Sequence, residues 1–492
     1  MYLFLKSILA KACFTSILFI LPSSVNAQYT INSEHGDLAE CDTMTRGIFI
    51  IWWDKDVDHS AQVDVMLDTM LAFQDFCLNN LGMQDPLGPL NGYYCNIYIH
   101  APGNPDDYFY VNYPEWGNGV GGDINGYAFM TLPDFIIYNF RNLAHETFHI
   151  YQSHGMWDIT PGIYSSDDGG WFVEATADWF ATYRYPNDPY SFIGAEILVR
   201  VPQVPMWLDF YNIPPDYPDN WQRAVHQYAM GIFFYYLTNE IGILDSNIVS
   251  VFYSGTSLIS QEYLYNLIGG SDFRNYFIDF AAHLTNDFDF ITPEQADNSL
   301  AEWNWVADPE DDNQFIQTYN DAGSDGWFRP DDELTTTAWS FNTYKLLNTS
   351  TENYTFEING DETGIFGDYA YFQGKVLVQN SVTGASFHNL VMSNDYQGAL
   401  TLSLTPSDTA VYFIIASMPE VFEDSEPSFQ LFPYEMKIST GNITGISALG
   451  ISSPKIEIAR YNILGQKMDK ETGGLQFILY NDGSTEKNFI QQ

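Results

Sequence analysis

The sequence predicts an α+β domain over 28–306, an all-β sandwich over 335–440 and a small β unit over 453–492. Three observations carry this. Up to residue 306, short apolar strand runs give way to long segments with helical periodicity. An acidic, glycine-bearing stretch, 307–334, then reads as a linker. Beyond it the pattern changes to alternation punctuated by turn residues, the signature of short sandwich strands.

Composition narrows the functional classes. The chain has 492 residues, 46% of them apolar, enough for a sizeable core. Asp and Glu number 63 against 18 Lys and Arg, a net charge of -45. So few cations cannot neutralise phosphates, which excludes nucleic acid as a partner and argues against docking on anionic lipid. Aromatic residues reach 17%. They suit either an aromatic core or a surface that stacks on sugars or peptides, and the need to bury apolar area favours the core.

Each element follows in order. Lys6 and Lys11, the apolar run Ala12 to Leu21 and the small-residue site Val25-Asn26-Ala27 form a secretory signal peptide over 1–27. The expected location is therefore secreted or cell-surface, and no later stretch is long and apolar enough to span a bilayer. Cys41, Cys77 and Cys95 remain after cleavage, enough for one disulfide and one thiol, and no Cys-x-x-Cys is present. Gly47 to Asp54 and Tyr93 to His100 read as strands. His59 to Leu81 reads as a helix stopped by Gly82. Asn104 to Gly126 reads as a long loop and Tyr127 to Leu132 as a strand. A helix capped by Asp134 runs to His154, where Gly155 ends it. Two more helices follow, Trp171 to Tyr185 and Trp221 to Ile241, the latter closed by Gly242.

The chemistry-bearing motif is His145-Glu146-Thr147-Phe148-His149. Residues four apart share a helix face, so both imidazoles can grip one Zn²⁺. Glu146, one step round, can take a proton from the attacking water. Gln152 and Gly155 stand where a metzincin needs Gly and His, which excludes that class. A third ligand is available in Glu174, 25 residues after His149 and flanked by bulky apolar residues where a lone carboxylate would be costly. Asp178, one turn further, can accept a hydrogen bond from the second nitrogen of His145.

These residues resemble the gluzincin zinc metallopeptidases, with H-E-x-x-H on one helix and E-x-x-x-D on the next, over roughly 135–242. The resemblance implies a thermolysin-like, zincin-type α+β fold, one zinc per chain held by His145, His149 and Glu174, and peptide hydrolysis, most simply endopeptidase action. Tyr228-Ala229-Met230-Gly231 resembles the Y-x-x-G helix of aminopeptidase-type gluzincins, which implies that Tyr228 stabilises the oxyanion, with His226 competing for the role. The G-x-M-E-N exopeptidase motif is missing, so aminopeptidase activity is not implied. Zinc would polarise the carbonyl and lower the pKa of its water to about 7. Glu146 would act as general base and pass the proton to the leaving amine.

The carboxyl end carries Arg460-Tyr461-Asn462-Ile463-Leu464-Gly465-Gln466-Lys467 and then Asn481-Asp482-Gly483-Ser484. It resembles the sorting domain of the type IX secretion system, which implies that machinery as a partner. Gln476 departs from the family, where Tyr is common. Asp106-Asp107 and the Asp321 to Asp332 loop could bind Ca²⁺, but EF-hand spacing is absent and a solvated loop is the simpler reading. Two rivals stand beside the peptidase: a glycan-binding or adhesive protein on a zincin scaffold, and a zinc hydrolase of a non-peptide substrate.

Overall fold

The computed structural model describes residues 28–29, 41–86, 93–100, 119–122, 128–133, 139–156, 169–192, 197–198, 201–208, 226–296, 316–318, 326–331, 334–346, 352–422, 430–440, 457–462, 474–480 and 485–490. Its first sheet is built from β1 (Gln28–Tyr29), β2 (Cys41–Arg46), β3 (Phe49–Asp54), β4 (Tyr93–His100), β5 (Gly119–Gly122) and β6 (Ala128–Pro133), in the order β2-β3-β4-β6-β5 with β1 beside β4. The central strands β3, β4 and β6 are parallel, while β2 and β5 are antiparallel edges. The apolar run in β3 has no alternation because both its faces are buried. Phe49, Ile51 and Trp53 enter the main core, and Ile50 and Trp52 join Tyr98 and Phe129 on the opposite face.

Strand β5 corrects the long loop expected over 104–126. Glycine has low strand propensity, but Gly119 to Gly122 pair with Thr131 to Ala128, so the ladder offered by β6 overrides it. The rest of that stretch lies outside the described residues.

Helix α1 (Ser60–Asn79) buries Val63, Met66, Leu67, Met70, Phe73 and Cys77, the last a thiol set inside the core. Helix α2 (Phe140–His154) begins later than expected. Its cap is Asn139, whose side chain accepts from the Asn142 N–H at 3.1 Å, and Asp134 lies outside the described residues. Gly155 does not end this helix in a left-handed turn, since its backbone stays helical (φ -59, ψ -47). It is glycine because a Cβ there would stand 2.7 Å from the Cβ and the carbonyl oxygen of Phe252.

Helix α3 (Gly170–Arg184) packs along α2, with Phe180 stacked on Phe148 at 4.7 Å. The helix expected over 221–241 is interrupted in its described part. It comprises α4 (His226–Ala229), α5 (Gly231–Tyr235) and a π-helical segment Tyr236–Ile241 that Gly242 closes at φ +82. Helices α6 (Asp245–Val249), α7 (Ser260–Ile268) and α8 (Gly270–Thr285) complete the layer. Among the described residues no helix is long and apolar enough to cross a membrane.

The sandwich strands are β7 (Ile316–Thr318), β8 (Ser340–Lys345), β9 (Asn353–Gly360), β10 (Phe372–Asn380), β11 (Gly384–Asn389), β12 (Val391–Met392), β13 (Gln397–Ser403), β14 (Asp408–Ser417) and β15 (Tyr434–Thr440). They form sheets β11-β10-β14-β8-β7 and β12-β13-β9-β15. Phe356 meets Phe413 and Phe372 meets Tyr434 across the gap between them. Two pieces of the expected acidic linker belong here. Ile316–Thr318 pairs with β8, and Phe328 bridges Met436. Backbone pairing is indifferent to the net charge that suggested a linker.

The helical layer and the sandwich share one core. Trp339 holds a left-handed backbone (φ +51) and its ring lies among Trp207, Tyr265, Phe273, Phe277 and Phe422. Around it, Arg274 Nε donates to the Met418 carbonyl at 3.0 Å and Lys375 pairs with Asp279. Met1–Ser439 accordingly forms one compact unit. Thr440–Gln492 is a second unit, an antiparallel sheet of β16 (Glu457–Asn462), β17 (Gly474–Tyr480) and β18 (Thr485–Ile490).

Candidate metal centre

Helix α2 is buried almost throughout, so its polar residues must find partners inside the protein. His145 and His149, one turn apart, face α3 with ring centroids 4.7 Å apart. Their Nε2 atoms are 3.1 Å apart. Glu174 Oε2, from α3, is 3.2 Å from the first and 3.6 Å from the second. Two imidazole nitrogens and a carboxylate oxygen therefore converge on one point. Ligands bound to zinc at 2.0–2.2 Å in a tetrahedron stand about 3.3 Å apart, which these three edges bracket. The donor set and its spacing thus fit Zn²⁺. Among the described residues it is the one group of three His, Cys, Asp or Glu side chains close enough to hold a metal. Side-chain exposure is 11%, 10% and 26% for His145, His149 and Glu174, so the cluster is recessed but not sealed.

The outward nitrogens are also engaged. His145 Nδ1 lies 3.6 Å from Asp178 Oδ1, which takes a hydrogen bond from Arg141 Nη2 at 2.7 Å. His149 Nδ1 is 2.6 Å from Gln152 Oε1. Sequence reasoning brought out Asp178 but missed Arg141 and Gln152. The available signal was helical spacing: Arg141 lies four residues before His145, and Gln152 three after His149.

Charge within this cluster is strongly coupled. Burial works to lower the His145 imidazole, but its bonds to Asp178 and Glu174 and the charge of Glu146 carry it up to about 10. Burial likewise opposes the charge on Glu174, yet His149 and His145 hold it far below the usual carboxylate range. Asp178 is kept low against burial by Arg141 and His145. Glu146 goes the other way, because its buried position raises its pKa more than the two histidines lower it.

Tyr228 and His226 both sit on α4. Tyr228 packs its ring 6.0 Å from that of His145. The Glu174 charge and burial push its phenol well above the ordinary value, so it remains a donor. His226 is buried at the start of the same turn. Gly231 brings this segment close. A Cβ there would stand 2.8 Å from the Ala175 carbonyl oxygen and 2.9 Å from the Trp179 nitrogen on α3. The Ca²⁺ candidates Asp106-Asp107 lie outside the described residues, as does half of the 321–332 loop.

The site is a two-histidine, one-carboxylate donor set with a buried carboxylate and a phenol beside it. The chain belongs to DUF6055, a family of unknown function, whose profile matches residues 20–445. That match ends near the start of the second compact unit. Among curated proteins none matches. A solved family GH115 4-O-methyl-alpha-glucuronidase, with specificity for decorated arabinogalactans, aligns at 9% identity and a TM-score of 0.15. The alignment covers 74% of this chain and 54% of that one, so this chain spans about half the glucuronidase it matches. A likeness at that score carries no argument about fold or function.

Proposed function

We propose that the chain is an exported zinc metallopeptidase of the gluzincin type, and that its α+β half is zincin-like. The single observation that carries the reading is the convergence of His145 Nε2, His149 Nε2 and Glu174 Oε2 at 3.1–3.6 Å, beside a buried Glu146. Zinc held by these three would polarise a carbonyl and acidify water. Glu146 takes the proton of the attacking water and returns it to the leaving amine. Its raised pKa brings it nearer to neutrality than an ordinary carboxylate, which suits two-way transfer. Tyr228 remains protonated and donates to the developing oxyanion. Arg141 and Asp178 keep the His145 ring oriented. Among the described residues, all three ligands come from the first compact unit. That division, and the end of the family match near residue 445, support an export role for the C-terminal unit through type IX machinery.

The adhesive alternative leaves Glu146 without a task. A zinc hydrolase of a non-peptide substrate would use the same residues, so the deciding experiment compares metal and substrate together. Purified wild type is expected to contain about one zinc and to cleave casein or gelatin. Glu146→Gln should keep the zinc and lose nearly all cleavage, because an amide cannot accept the proton. A wild type that binds zinc but cleaves no protein substrate would overturn the peptidase reading, and one that binds no zinc would overturn the metal reading.

A further inference from the structure

His149 is held from behind by a chain of hydrogen bonds that begins on the other helix. Gln152 Oε1 is 2.6 Å from His149 Nδ1. Gln152 Nε2 donates to two acceptors on α3, the Val173 carbonyl at 2.9 Å and Thr176 Oγ1 at 2.7 Å. Thr176 Oγ1 is in turn 2.7 Å from the Phe172 carbonyl, with the Val173 carbonyl at 3.4 Å. Gln152 and Thr176 are both fully buried.

Donor and acceptor counting fixes the direction of every link. A carbonyl only accepts, so the single Thr176 hydroxyl proton goes to Phe172. The Thr176 oxygen is then free to accept from Gln152. Both amide protons of Gln152 have acceptors on α3, and turning the amide over would set its oxygen against the Val173 carbonyl. Gln152 Oε1 therefore faces His149, and Nδ1 of that ring must carry the proton. The lone pair is left on Nε2, the nitrogen that faces His145 and Glu174.

We propose that Gln152 and Thr176 are positioning residues that select, from α3, the metal-binding tautomer of His149. This rests on the metal reading of the site. The same links bind the two ligand-bearing helices in register, so one device sets both the ring's proton and the distance from His149 to Glu174.

The test uses the full chain, stripped of metal and titrated with zinc against a chromophoric chelator. Thr176→Val keeps the volume and removes the hydroxyl, and its zinc affinity should fall about tenfold. Thr176→Ser should bind as wild type does. Gln152→Met, which removes both ends of the relay, should weaken zinc about 100-fold. It keeps the inference testable should Thr176→Val not fold. Thermal midpoints are read on every variant. Wild-type affinity in folded Thr176→Val, or in folded Gln152→Met, would overturn the proposal, as would a loss in Thr176→Val that Thr176→Ser shares. A wild type that takes up no zinc would overturn the metal reading instead.

Discussion

Gly231→Ala tests how closely the Tyr228 segment lies on the helix that carries Glu174. The new methyl would stand 2.8 Å from the Ala175 carbonyl oxygen, 2.9 Å from the Trp179 nitrogen and 3.2 Å from Asp178 Cβ. The first two are backbone atoms of α3 and cannot swing away, so α5 must retreat by about 0.5 Å to reach ordinary contact distance. Overpacking of this kind costs 1–3 kcal/mol, and with rigid atoms on the far side we expect about 3. For a unit of this size that is a fall of about 3 °C in the thermal midpoint. The same retreat carries Tyr228 from His145. Since a 1 Å misplacement can cost about 100-fold, half of that should lower turnover about tenfold while zinc content stays unchanged. Gly242→Ala is the control. Its φ of +82 makes alanine strained by about 1–2 kcal/mol, but nothing stands within 4 Å and turnover should hold. A Gly231→Ala protein with the midpoint and turnover of wild type would refute the close approach.

Three further outcomes are expected. Arg141→Met removes one of the two partners of the buried Asp178 carboxylate, His145 remaining, and urea unfolding should show a loss of about 3 kcal/mol; an unchanged midpoint would mean that water replaces the guanidinium. In the metal-free protein His145 is held protonated up to about 10, above its ordinary 6.5, and zinc must displace that proton. Zinc affinity should therefore rise about tenfold per pH unit between 6.5 and 10, and a flat profile in calorimetric titration would contradict this. The same raised value stabilises the metal-free fold below pH 6.5, and that contribution fades as pH rises through about 10. Truncation after Ser452 should leave zinc content and turnover unchanged while blocking release from the native cell; an unfolded product or continued release would each count against it.

What was legible in the sequence was whatever depends on local spacing. His145 and His149 lie one turn apart by helix geometry alone, and the apolar surroundings of Glu174 made its charge conspicuous. The apolar strands β3, β4 and β6 were legible for the same reason. What stayed hidden depends on partners far along the chain. Strand β5 is glycine-rich and exists because β6 offers it a ladder. Gly155 looked like a helix stop, but its smallness answers to Phe252, 97 positions away. Gln152 was read only as a departure from the metzincin pattern, because its partners Val173 and Thr176 belong to the next helix. The helix over 221–241 was expected whole, and the π-helical turns at Tyr236–Ile241 have no signature in its apolar pattern.

Trp339 has consequences for how the molecule can be taken apart. Its ring is shared by side chains from the helical layer and from the segment after β14, and the Met206 N–H donates to its carbonyl at 3.0 Å. Cutting the chain between these halves would leave six large aromatic surfaces facing water. Neither half is then a portable module. The sandwich serves as the keel of the helical layer, and a protease or a heat pulse should meet the pair as one object that yields all at once.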